Sequence, residues 1–152
     1  MDVGGVTWIV AADAVEARIF SERVRAGPVK ELVSMRMSAT DAERDEHHKQ
    51  RGTVHDRHGH GRHGAGERKD GDEALRRFLR RVASSLSLAA TRGEYDSLVL
   101  MGPPRALGVL KDVLATPVAQ RLEATDPHER LRDTADEVRQ HLREARARHA
   151  EA

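Results

Sequence analysis

The chain has no cysteine, which excludes disulfides and thiolate metal sites and fits a reducing compartment. Large rings are nearly absent: aromatic residues make up 3% of the sequence against 34% charged residues. A core must therefore be assembled from Val, Leu, Ile and Ala around Trp8, Phe20 and Phe78. No apolar run approaches the roughly 20 residues that a membrane-crossing helix needs. The apolar stretch near the start is interrupted by Asp13 and comes after an acidic Met1-Asp2, unlike a signal peptide. Charge of one sign is not in excess either. The 26 basic and 25 acidic residues leave a formal net charge of +1, too little for a global field that would hold a polyanion. These absences predict a cytoplasmic protein without a membrane span.

What is present fits one domain, 1–152, large enough to bury about two-thirds of the surface that its unfolded chain exposes. Residues 6–12 are continuously apolar, and 16–22 carry Ala17, Ile19 and Phe20 between polar residues, which predicts a hairpin bent at Asp13-Ala14-Val15. Gly27-Pro28 marks a turn, and Val29 to Met37 reads as a third strand. Asp72 is a candidate N-cap for a helix whose stripe is Leu75, Phe78, Leu79, Val82, Ala83 and Leu86, with Arg76, Arg77, Arg80 and Arg81 off it. Gly93 stands where that helix closes. Ser97 to Met101 suits a buried strand, Pro103-Pro104 opens a helix with Leu107 and Leu110 inward, Val118 to Ala124 is the last candidate strand, and Glu129 to His149 forms the closing helix. The order, three strands, helix, strand, helix, strand, helix, predicts an α/β layered domain with a mixed five-stranded sheet and right-handed crossovers.

Between Ser38 and about Gly71 the pattern collapses. Val54 is the one sizeable aliphatic there, and Gly, His and charge dominate, so the segment buries too little to offset its ordering entropy. It reads as a long flexible loop, and loops of that length inside a domain are usually functional or disordered.

Two segments carry a family likeness. Trp8-Ile9-Val10-Ala11-Ala12-Asp13 leading to Ala17-Arg18-Ile19-Phe20, and Leu98 through Gly102-Pro103-Pro104-Arg105 to Leu107-Gly108, resemble the bacterial host attachment family, "required for attachment to host cells". The likeness runs from Trp8 to the C-terminal helix. Where that family often has Lys-Asp-Leu near the last strand, this chain has Thr125-Asp126-Pro127; where it often has Ser-Asp-Arg-Pro-Gly in the long loop, this chain has His55-Asp56-Arg57-His58-Gly59. The element order is that of ribonuclease H-like folds, and the middle domain of archaeal and eukaryotic class 1 peptide chain release factors is similar to it. That second resemblance implies a Gly-Gly-Gln in the long loop, assisting hydrolysis of peptidyl-tRNA. No such tripeptide occurs in the sequence.

Six of the nine histidines fall in the loop, and His55, His58, His60 and His63 have a His-x2-His-x-His-x2-His spacing. Imidazoles on a Gly-rich backbone can converge on Zn, Ni or Cu. Without a dedicated zinc motif, a solvated polar loop with weak metal binding is the favoured reading, and no cofactor is expected. The loop's Lys49, Arg51, Arg57, Arg62, Arg68 and Lys69 allow contact with RNA phosphate or the ribosome, although no aromatic residue there offers a stacking platform.

Asp13, at a strand end, is a candidate carboxylate for two-metal hydrolysis, but its position is one that Asp favours for local turn bonds. The fourth strand ends in Met101-Gly102 and supplies no partner carboxylate. At Gly102 the next two residues, both proline, remove N–H donors that an anion site would use. Arg18 and Arg105 are the candidate exposed ligand-binding residues. The sequence thus predicts a non-enzymatic binding module of unknown partner. The competing prediction is a degenerate release-factor-like or ribosome-rescue protein acting on peptidyl-tRNA.

Overall fold

The computed structural model describes residues 5–45 and 61–151, with side chains of 61–71 outside that description. The elements in chain order are β1 (Thr7–Ala12), β2 (Glu16–Glu22), β3 (Val29–Glu31), β4 (Met37–Ser38), α1 (described over 41–45), α2 (Gly61–Thr91), β5 (Ser97–Met101), α3 (Pro104–Val113), α4 (Thr116–Ala119), β6 (Leu122–Asp126) and α5 (Ala135–Glu151). The sheet runs β3-β2-β1-β5-β6, with β4 also pairing β2. β1 pairs antiparallel with β2 from Thr7↔Glu22 to Ala12↔Ala17 and parallel with β5 from Thr7↔Ser97 to Ala11↔Met101. The α/β fold, with its mixed sheet and element order, is the one predicted.

β1 is buried along its whole length because both faces of the sheet are covered, as in parallel sheets generally. Its alternation divides the core. Trp8, Val10 and Ala12 face α2 and α3, joining Phe78, Leu79, Val82, Leu86 and Leu107. Ile9 and Ala11 face α5, joining Phe20, Val99, Met101, Val138 and Leu142. Tyr95 adds a ring that sequence periodicity does not place in the core: it is wholly buried, stacks on Trp8 with centroids 4.9 Å apart, and donates its hydroxyl to Leu86 O at 2.7 Å.

Four boundaries differ from expectation, each for a local reason. The run Val29 to Met37 is not one strand. Leu32 N–H donates to Ile19 O, a 3₁₀ turn occupies Val33–Met35, and pairing resumes at Ala17↔Met37. Residues 32–36 thus bulge opposite Arg18 and Ile19, and the split adds a sixth strand to the five expected. α2 begins at Gly61, not at Asp72, because propagation adds one hydrogen bond per residue once the apolar turns have nucleated the helix; residues 41–45 are helical and Ser38 lies in β4, so these parts of the expected loop are regular.

The last strand starts at Leu122, since Pro117 presets a short helix over Thr116–Ala119 that buries Val118. The closing helix starts at Ala135 rather than Glu129 because Thr134 caps it reciprocally: Glu137 N–H reaches Thr134 Oγ1 at 3.1 Å and Thr134 N–H reaches Glu137 Oε1 at 2.8 Å. Thr40 and Glu43 cap α1 the same way: Glu43 N–H reaches Thr40 Oγ1 at 3.2 Å and Thr40 N–H reaches Glu43 Oε1 at 2.8 Å.

Gly93 does close α2. It sits at φ +70°, its N–H meets Ala90 O, and Glu94 N–H meets Ala89 O, both at 3.0 Å, the pair of bonds that defines a Schellman end. Gly102 is required by a close approach: a Cβ there would lie 2.5 Å from Ala12 O.

Candidate functional site

The strands β1, β5 and β6 run parallel, so their carboxyl ends share one edge of the sheet, where α/β proteins commonly hold ligands. The edge presents Asp13, Gly102 and Asp126. The connection from β6 to α5 passes over it and ties back onto β2.

Asp13 is a turn residue. Its Oδ1 accepts Val15 N–H at 2.9 Å and Glu16 N–H at 2.8 Å, closing the β1–β2 hairpin. Arg18 is not the exposed residue expected. Its side chain is 19% exposed, its Nε and one terminal nitrogen form a fork on Glu31 at 3.2 and 2.8 Å, and its other terminal nitrogen donates to Leu131 O and Asp133 O at 2.7 and 2.9 Å. Arg36 forms a second fork on the same Glu31, at 2.6 and 2.8 Å. The hydrogen bonds from Arg36 and then Arg18 lower the Glu31 pKa from 4.5 to about 2. A polar cleft of about 530 Å³ lies here, lined by Glu16, Arg18, Arg36, Ser38, Arg132 and Asp133 among others. Arg105 is exposed, as expected, and forms an ion pair with Asp72 that ties α3 to α2.

Asp126, which the sequence shows only as a residue near the last strand, is the centre of a cationic cluster. Its side chain is 0% exposed. Pro127 comes next, and a tight turn brings His128 N–H to Asp126 O at 2.8 Å, an oxygen that also accepts Gly102 N–H at 3.0 Å. The carboxylate meets His128 Nδ1 at 2.6 Å, Arg130 Nε at 2.9 Å and Arg148 of α5 at 3.5 Å. Burial pushes this carboxyl's pKa up, but the hydrogen bonds from Arg130 and His128 outweigh it, and the group is held below its ordinary range. With Asp126 ionised, His128 donates from Nδ1 and directs Nε2 outward, the geometry by which carboxylates orient functional imidazoles. The spacing of Asp126, His128 and Arg130 is present in the sequence. The contribution of Arg148 and the burial are not.

The α2 arginines are divided between internal and open positions. Arg76 pairs with Asp112 of α3 at 3.0 Å, and Arg81 reaches Ser38 O and Glu43 at 3.1 and 2.9 Å. Arg76 and Arg80 line a groove of about 720 Å³ between α2 and α3, with Ser84, Ser87 and the exposed Leu88.

His55, His58 and His60 lie outside the described residues, and His63 lies in α2 with its side chain outside them. Among the described residues, no three His, Asp or Glu side chains are grouped to hold a metal ion. Nor is any helix among them long and apolar enough to cross a membrane.

A family model described as "Protein required for attachment to host cells" matches residues 8–142. No curated protein matches the chain. Among solved structures, an archaeal translation termination factor, aRF1, is similar over 94% of this chain with a TM-score of 0.52 and 13% sequence identity. The chain spans 38% of the length of that factor, and at this identity the likeness concerns the fold.

Proposed function

The chain belongs to the family of proteins required for attachment to host cells, and from that premise we propose that it works as a non-enzymatic binding module in the cytoplasm. One observation carries the reading: the carboxylates at the ligand-holding edge of the sheet are committed to the fold. Asp13 accepts backbone N–H groups, and Asp126 is buried under cations. Two-metal hydrolysis needs carboxylates free to clamp paired ions, and general-base catalysis needs a group within reach of a substrate proton. Asp126 is out of a substrate's reach, and Asp13, with Oδ1 committed to the hairpin, is left as a lone carboxylate that does not by itself clamp paired ions. Lys49, Arg51, Arg57, Arg62, Arg68 and Lys69, together with Arg80 on the α2–α3 groove, are the basic groups we assign to a partner, and RNA or the ribosome fits their charge. His55, His58, His60 and His63 would bind Zn²⁺, Ni²⁺ or Cu²⁺ weakly.

The second reading is a release-factor-like or ribosome-rescue protein acting on peptidyl-tRNA. The fold shared with the archaeal termination factor favours it. Against it stands the sequence, in which Gly-Gly occurs at 4–5 and is followed by Val6. Single-turnover assays with peptidyl-tRNA on ribosomes, and with RNA in Mg²⁺ or Mn²⁺, separate the two. The binding reading expects background rates together with salt-dependent cosedimentation with ribosomes. Hydrolysis that survives purification and disappears in Asp13→Asn or Asp126→Asn overturns it.

A further inference from the structure

Asp126 gathers more positive charge than it neutralises. One buried carboxylate faces two guanidinium groups, Arg130 and Arg148, and the imidazole of His128. A structural ion pair would need one of these cations. Arg130 spends only its Nε on Asp126, and Arg148 approaches with one terminal nitrogen at 3.5 Å. Their remaining N–H groups have no protein acceptor among the described residues. The His128 and Arg148 side chains are 60% and 48% exposed and that of Arg130 is 20% exposed, so two of the three groups face solvent and the third reaches it in part, while their carboxylate anchor is wholly buried.

The placement adds an independent argument. The cluster stands at the carboxyl end of β6, joined to the start of the β5–α3 turn through the Gly102 N–H bond to Asp126 O, on the sheet edge where α/β folds hold ligands. Two guanidinium groups and an imidazole gathered around one carboxylate leave a net positive charge and spare N–H donors, which suit the oxygens and charge of a phosphate.

We propose that His128, Arg130 and Arg148, held in position by Asp126, form a binding site for a phosphate group. Arg130 and Arg148 supply charged donors, and His128, in its imidazolium form, supplies a second donor at Nε2 while Nδ1 stays on Asp126. Asp126 is a positioning residue, since its oxygens face the cations. The site deepens the binding reading by naming a ligand chemistry. The two fail separately, because turnover in the hydrolysis assays removes the reading, and silence toward phosphate removes the site.

The test is an NMR titration of the full chain with inorganic phosphate, exchanged for chloride at fixed ionic strength. Saturable shifts at His128, Arg130 and Arg148 are expected, with a dissociation constant on the order of 1 mM. Arg148→Gln removes one charged donor from an exposed position and leaves Asp126 paired with Arg130 and His128, so the fold persists. It should weaken binding about tenfold, and His128→Gln should weaken it measurably. Adenosine monophosphate and a dinucleoside phosphodiester, titrated alongside, distinguish a terminal phosphate from a backbone one. Binding of either supports the site. Linear shifts with all three probes, or affinity unchanged in Arg148→Gln, overturn it.

Discussion

Arg146 and Glu22, 124 positions apart in the chain, meet in a two-pronged pair with both terminal nitrogens on both carboxylate oxygens, at 2.8 and 2.7 Å. Glu22 is 1% exposed, and the same guanidinium also holds Glu123 and Thr7. Arg146 thereby fastens α5 to β1, β2 and β6 at once. Burial disfavours its charge, but bonds to Glu22 and Glu123 outweigh that and raise its pKa beyond the ordinary arginine value.

Removing that side chain leaves a carboxylate buried without its cation. Arg146→Ala is expected to cost about 3–5 kcal/mol, read from urea unfolding. Glu22→Gln/Arg146→Met together should cost less than the single change, because the fully buried carboxylate is neutralised along with its cation, and Glu123 keeps Arg25. A single variant within about 0.5 kcal/mol of wild type contradicts the assignment.

Arg18 and Arg36 share Glu31, but only Arg18 also holds the β6–α5 connection. Arg18→Ala should cost roughly 2–4 kcal/mol, because two carbonyls and a carboxylate lose a charged donor. Arg36→Ala, at the surface, should cost about 1 kcal/mol or less. Hydrogen exchange in the first variant should accelerate at Leu131 to Thr134. Equal losses in the two variants argue against Arg18 as the pin.

Two glycines should respond to alanine with opposite signs. Gly93 sits at φ +70° with open space around a new Cβ, so Gly93→Ala meets backbone strain alone and destabilises by about 1 kcal/mol. Gly108, inside α3, also has nothing near its Cβ but no positive φ. Gly108→Ala should stabilise by about 0.5–1 kcal/mol. Thermal melts of the two variants decide it.

Stability should fall in acid through the paired carboxylates. The Glu31 pKa is depressed to about 2 in the fold, and those of Glu43, Glu123 and Asp126 also lie below their ordinary values. A depressed folded pKa means that the unfolded chain binds protons first. Their contribution is therefore complete above the unfolded value, near 4.5 for Glu31, and is lost as pH drops toward 2. Glu31→Gln should flatten the urea-midpoint profile in that window and leave it unchanged in slope near neutrality.

The hairpin, the α2 stripe and Gly93 are legible in the sequence because each depends on near neighbours: apolar continuity, three- and four-residue spacing, a helix stop. The capping pairs Thr40–Glu43 and Thr134–Glu137 carry a readable signature too, but polar residues dominate the helical turns after them, so no apolar run marks the helix start. Val29 to Met37 reads as one strand because apolar content does not report that Leu32 turns its N–H to Ile19. Asp126 has two partners nearby in sequence, His128 and Arg130, but its burial and its contact with Arg148, like the surroundings of Arg18, lie beyond local reading. The distant partners arrive from α5 for Asp126, and from β3 and the β6–α5 connection for Arg18, and only packing decides which charge is buried.

The register of β1 bears on how the chain emerges during synthesis. Thr7 pairs with Glu22 on one side and with Ser97 on the other. A hairpin that closes once Glu22 has emerged would leave the opposite edge of this apolar strand waiting until β5 has left the ribosome. Throughout that interval an unpaired, charge-free edge from Thr7 to Ala12 would stand open to strand addition. Such a stage would invite self-association, and shielding by a chaperone would matter most before Met101 is released.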